Sequence, residues 1–177
     1  MDELRRAVEG GQRFPYVFFW RHHPSADGVL GASCLSQWWP CRFTVDGVTY
    51  TSAEQWMMAA KARLFGDDEA LAAMLATDEP DRVKALGRAV RNFESARWSA
   101  ACAGIVTRGN LAKFGQSEPL REFLLGTGDA VLAEASPTDV IWGIGLDASD
   151  ERASDPREWR GASLLGFALM RVRERLR

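Results

Sequence analysis

The run Tyr50-Thr51-Ser52-Ala53-Glu54-Gln55-Trp56-Met57-Met58-Ala59-Ala60-Lys61-Ala62-Arg63-Leu64-Phe65 constrains this chain more than any other stretch. Ala53, Trp56, Met57, Ala60 and Leu64 recur at helical spacing and predict one buried stripe. A neighbouring stripe of Glu54, Met58, Lys61 and Phe65 is rotated from it by about 100°. It places a carboxylate and an ammonium at the margin of the core face. Glu54 and Lys61 are separated by roughly 10 Å along the axis, too far for a salt bridge and about the length of a sugar phosphate. Thr51 followed three residues later by Glu54 also spells a capping box, so a structural and a functional reading of the carboxylate stand side by side. Lys61 likewise reads either as a flank lysine whose stem lies along apolar surface or as a ligand-facing cation.

What precedes this helix sets where it starts. Arg42-Phe43-Thr44-Val45, then Asp46-Gly47, then Val48-Thr49-Tyr50 is a hairpin pattern with a two-residue turn. With 177 residues, 46% of them hydrophobic, the chain has enough apolar surface for one substantial core. The expected organisation is a polar N-terminal arm over residues 1–13 and a single domain over 14–177. A formal charge of −2 lacks the basic footprint of a protein that holds nucleic acid by its phosphates alone, though local recognition of a modified nucleic acid stays open. Cys34, Cys41 and Cys102 are odd in number and lack CxxC spacing, which argues against a disulfide framework or a zinc site. No metal is expected. Reduced thiols and the lack of an apolar run long enough for a signal peptide or membrane span lead us to expect a cytoplasmic protein without a membrane partner.

Along the chain, Tyr16 to Trp20 has the content of a buried strand, and Arg21, His22, His23, Pro24 and the Asp27-Gly28 turn mark its exit. Trp38-Trp39 before Pro40 reads as core or as a stacking surface. Helices are expected from Glu69 to Ala76, from Pro80 through Val83, Leu86 and Val90, from Glu94 to Ala112 with Trp98 on its apolar stripe, and after Ser117 through Leu124. Gly87 in mid-helix marks close approach of another backbone or a ligand. Arg88 beside it reads as a phosphate contact or a surface ion pair. Ala130 to Ala135 is a short strand pattern, Ser136-Pro137-Thr138-Asp139 a turn in which Asp139 is an organiser, and Leu165 to Leu176 a closing helix. Gly143-Ile144-Gly145 lacks the third glycine of a dinucleotide fold. The fold class expected is predominantly α with small β elements, including a short β-hairpin.

Taken in order, Phe18-Phe19-Trp20, Ser36-Gln37-Trp38-Trp39, Ala53 to Lys61, Leu86-Gly87-Arg88, Lys113-Phe114-Gly115-Gln116, Glu134 to Asp139 with Trp142-Gly143-Ile144-Gly145, and Leu164-Leu165-Gly166 with Leu169 to Arg173 closely resemble the NADAR (YbiA-like) family. The likeness runs from about Phe18 to Arg173. Two positions depart from it, with arginine at 21 where the family usually has glycine and serine at 163 where it usually has asparagine. The resemblance implies a helix-rich α+β fold and N-glycosidase activity, either on ribosylamine-type bonds of early riboflavin intermediates or on ADP-ribosylated guanine bases. The implied partner is thus a small phosphoribosyl or ADP-ribosyl substrate, or an ADP-ribosylated nucleic acid. No metal or redox cofactor is implied.

Glu54, Trp98 and Asp139 match the family's implicated positions, with Lys61 beside them. Breaking a ribosyl C–N bond builds positive charge at the anomeric carbon, which suits a carboxylate at Glu54 and a partner acid or base at Asp139. Trp98 would stack on the leaving base. Lys61 would bind phosphate or form a Schiff base with the opened sugar. Trp20, Trp38, Arg88, Gln116 and Trp142 complete the expected substrate contacts. Arg88 and the Trp cluster would also suffice for a module that binds ADP-ribose or a nucleotide without cleaving it.

Overall fold

The computed structural model describes residues 1–23 and 29–177; Pro24 and the Asp27-Gly28 turn lie outside them. The chain is predominantly α with small β elements, as expected. It divides into two compact units, residues 1–36 with 122–177, and residues 37–121.

In the first unit, helix α1 (Asp2–Glu9) leads to strand β1 (Tyr16–Phe19), which pairs in parallel with β4 (Val131–Glu134), Tyr16 facing Val131 and Phe19 facing Glu134. Short 3-10 turns cover Ala32–Leu35 and Glu151–Ser154, and helix α7 spans Leu164–Leu176. Leu165, Ala168, Leu169 and Val172 of α7 are buried, on the closing helix expected from the sequence. Gly166 lets α7 lie on the strand, because a Cβ there would overlap the Leu132 carbonyl. Val131, Ala133, Ala135, Ile144, Leu146 and Trp159 form the core of this unit, with Tyr16 and Phe18 packed on it. The buried Arg173 guanidinium donates to Thr127 Oγ1 at 2.8 Å and to the Ala130 carbonyl at 2.9 Å, closing the loop ahead of β4.

The second unit begins with the hairpin β2 (Phe43–Val45) and β3 (Val48–Tyr50). Asp46 and Gly47 adopt φ of 52° and 77°, the left-handed pair that a two-residue primed turn needs. Helix α2 (Ala53–Phe65) follows at once, then α3 (Asp68–Leu75), α4 (Pro80–Arg88) with Pro80 in its first turn, and the long α5 (Ser95–Gly115). Helix α6 (Glu118–Gly126) carries the chain back to the first unit.

Helix α2 is surrounded by α3, α4 and α5. It is therefore buried on more sides than one stripe predicts: Ala53 to Ala60, Ala62 and Phe65 are all buried. The Glu54, Met58 and Phe65 flank lies inside the unit and not at a core margin. A helix apolar all round is the expected centre of such a packing.

Candidate active site

The first turn of α2 is built differently from the Thr51–Glu54 box that the sequence suggests. Ser52 is the N-cap, its Oγ accepting from the Gln55 N–H at 3.1 Å. Gln55 Oε1 accepts from the Thr51 N–H at 2.8 Å and from the Thr51 hydroxyl at 3.3 Å. Its Nε2 donates to the carbonyls of Met74 at 3.0 Å and Thr77 at 2.7 Å. The cap pairs Ser52 with Gln55, one residue later than read, and the return bond goes to the Thr51 N–H and not to that of Ser52. Glu54 therefore does not serve as the capping residue.

Glu54 is 4% exposed and sits at the positive end of the helix dipole, where negative charge is favoured. Its backbone N–H donates to the Gln37 carbonyl at 2.8 Å. Gln37 is held in turn, its Oε1 accepting from Asn110 Nδ2 at 2.7 Å and its Nε2 lying 3.8 Å from Met57 Sδ. These bonds help to fix the first turn of α2.

Two turns along the same flank, Lys61 Nζ donates to the Gly87 carbonyl at 2.7 Å. It lies 4.3 Å from the centre of the Phe93 ring and 5.6 Å from that of Trp98, both within cation–π range. Burial pulls its pKa below the ordinary lysine range. Gly87 is closely approached by a side chain and not by the backbone or ligand expected, since a Cβ there would overlap Met58 Sδ.

Phe93 is the member of this group that sequence reasoning missed. It lies in the loop between α4 and α5, 47% exposed. That loop is clamped by the buried Asp67, which accepts from the Arg91 N–H at 2.8 Å and from Arg91 Nη2 at 2.6 Å. The guanidinium holds the Asp67 carboxyl down at about 2. An aromatic ring in an otherwise polar Arg91-Asn92-Phe93-Glu94 segment was the only signal available.

The structure thus gathers Lys61, Trp98 and the Gly87-Arg88 end of α4, with Arg88 itself exposed. Trp38 is half-buried with Lys84 Nζ 5.2 Å from its ring. Gln116 is accounted for without a ligand: its Oε1 accepts from the Thr44 N–H and its Nε2 donates to the Thr44 carbonyl, both at 2.8 Å, so the side chain extends the hairpin as an added strand would.

Asp139, Trp142 and Trp20 belong to the other unit. Asp139 Oδ1 accepts from the N–H groups of Ile141 at 2.8 Å and Trp142 at 2.7 Å, the organising role read from its turn. These bonds fall on one carboxylate oxygen. Trp142 is half-buried, and Trp20, 37% exposed, has the Arg21 guanidinium 4.9 Å from its ring. The two departures from the family pattern coincide with strained backbone: Arg21 and Ser163 take φ of 62° and 50°, conformations that glycine and asparagine tolerate best.

Comparison with known proteins bears on the family and the fold. The NADAR domain model matches residues 18–177. N-glycosidase R617 of Acanthamoeba polyphaga mimivirus is 42% identical over 164 residues, covering 90% of this chain and 95% of that protein. Riboflavin biosynthesis protein VVA0006 of Vibrio vulnificus is 30% identical over 142 residues, 80% of this chain but 35% of the relative. The NMR structure of the E. coli protein YbiA superposes with a TM-score of 0.72 at 25% identity, covering 93% of this chain and 86% of that one. The chain belongs to the NADAR domain family. It is an enzyme of the N-glycosidase class. Among the described residues, no helix is long and apolar enough to cross a membrane.

Proposed function

We propose that this enzyme hydrolyses the C–N bond of a ribosylamine-type substrate bearing phosphate, in the manner of a phosphoribosylaminopyrimidine. The observation that carries the reading is the Lys61 amine, set against the Gly87 carbonyl between Phe93 and Trp98, on the flank that also holds a buried Glu54 not needed for capping. The riboflavin biosynthesis name of one relative supports the aminopyrimidine class. In this scheme Glu54 faces the developing cation at the anomeric carbon or orients the attacking water. Trp98 stacks on the leaving base.

A lysine whose charge is disfavoured by burial suits nucleophilic attack better than static phosphate binding. Its nitrogen would bond to the anomeric carbon as the C–N bond to the base breaks, with one amine proton going to the leaving amine; the ring C–O bond of the glycosyl-lysine then opens, the ring oxygen taking the remaining N–H proton, to give the imine. Water then hydrolyses the resulting imine and restores Lys61. Purified protein is to be incubated with the ribosylaminopyrimidine phosphate, and separately with guanine-ADP-ribosylated DNA, with and without borohydride. Turnover of the first and trapping on Lys61 are expected. Trapping should rise with pH as the free amine forms and level off below the ordinary lysine range. Turnover without trapping assigns Lys61 to phosphate binding. Cleavage of the DNA alone makes the modified base the substrate. Stoichiometric binding of intact ligand, with turnover of neither, makes the chain a reader and defeats the proposal.

Asp139→Asn provides an independent check. The amide oxygen can accept the same N–H bonds from Ile141 and Trp142, so the melting temperature should stay within a few degrees. Turnover should fall by about 100-fold if the carboxyl moves a proton. Normal turnover would leave Asp139 a turn organiser only.

A further inference from the structure

The face of α2 opposite Glu54 and Lys61, about half a turn round the helix, lines a cavity of about 810 Å³ that the proposed reaction does not use. Its buried wall is Tyr50 and Trp56, packed edge to face at 5.2 Å, and its far side is α5. Three guanidiniums border it. Arg108 is neutralised by Asp46 at 2.6 Å. Arg63 and Arg97 have no carboxylate within ion-pair distance among the described residues.

Arg63 lies 5.8 Å from the centre of the Tyr50 ring of the cavity wall, and Arg97 lies 5.7 Å from the centre of Phe65, which does not itself line the cavity. A guanidinium resting on a ring loses little freedom when its N–H edge takes a phosphate in a fork of two hydrogen bonds. The floor is lined by small residues where α5 presents Ala100, Ala101 and Gly104. Gly104 has no packing reason, for a Cβ there would meet nothing within 4 Å, yet glycine inside a helix is destabilising against alanine. Room for a ligand accounts for it.

We propose that this cavity is a second binding site, for a small planar ring carrying a phosphate, with Arg63 and Arg97 holding the anion and the ring lying against the Ala100–Gly104 face. Its volume falls within the range of small-molecule sites, roughly 300–1,000 Å³.

Titration calorimetry of the full chain with adenosine monophosphate, adenosine and inorganic phosphate tests it. The monophosphate should bind, and each fragment alone should bind at least about tenfold more weakly. Arg63→Ala with Arg97→Ala should weaken the monophosphate by about tenfold or more. Gly104→Ala should raise the melting temperature by about 2–4 °C while also weakening binding. The read-out is binding, so failure of the proposed reaction leaves it unaffected. No binding heat with the monophosphate overturns the proposal. So does binding that ignores the arginine changes but vanishes in Lys61→Ala, which would place the ligand on the other flank. Affinity for a single-stranded oligonucleotide with none for the monophosphate also overturns it, making the surface a strand-binding one.

Discussion

Glu54→Gln should lower turnover by about 100-fold or more while leaving the protein folded, with a melting temperature within a few degrees of the parent. The expectation of a small stability change follows from who caps α2. Ser52 and Gln55 satisfy the first turn, and Gln55 also ties it to the end of α3 through Met74 and to the chain just after it through Thr77. Removing the Glu54 charge leaves all of these bonds in place. Gln55→Ala should show the opposite pattern. It loses the reciprocal cap and two carbonyl bonds, about 2–3 kcal/mol together, yet the molecules that remain folded should retain most of their turnover. Melting curves and single-turnover cleavage on the same preparations separate the two residues. A Glu54→Gln protein that melts poorly and cleaves normally would reverse the assignment and return Glu54 to structure.

That pair also shows where a sequence is legible and where it is not. Thr51-Ser52 followed by Glu54-Gln55 offers two capping boxes one residue apart, and local pattern alone favours neither. The choice is made by the carbonyls of Met74 and Thr77, which reward an amide at 55 with two more hydrogen bonds. A carboxylate could not donate to them. The hairpin needed no such help, because left-handed backbone at Asp46 and Gly47 is a property of two residues and their immediate neighbours.

Contacts between distant segments fare worse. The patterns of β1 and β4 each read as short strands, but their parallel pairing, Tyr16 with Val131, joins residues more than a hundred positions apart and leaves no local mark. Phe93 was missed for the same reason: its role depends on the Asp67–Arg91 clamp and on Lys61 arriving from α2. Gln116 misleads in the other direction. An exposed polar side chain after a helix looks available to a ligand, and only the neighbouring edge of β2 shows that both of its amide atoms are already used. Gly87 was legible only in part: read as a mid-helix glycine facing a backbone or a ligand, it stands in the last turn of α4 and faces the Met58 side chain.

Gly87→Ala should therefore be among the most damaging single changes in the second unit. The new methyl group would overlap Met58 Sδ and come within 2.8 Å of Met58 Cγ, and Met58 is itself only 8% exposed. Overpacking of this kind costs about 2–3 kcal/mol. It also displaces the carbonyl that receives Lys61 Nζ at 2.7 Å, and a shift of about 1 Å in a reacting group can cost about 100-fold in rate. Met58→Ala removes the obstructing atoms, at about 2–4 kcal/mol for the cavity it leaves. If the clash is the cause, the double variant should be more stable than the two single losses predict, by about 1 kcal/mol or more. Part of the lost turnover should return with it, because α4 can again approach α2 and restore the seat of the Lys61 amine. Denaturant melts and single-turnover rates for the parent, both single variants and the double variant complete the cycle. Strict additivity in both would mean that Met58 and Gly87 do not meet as described and that Lys61 is positioned by something other than the Gly87 carbonyl.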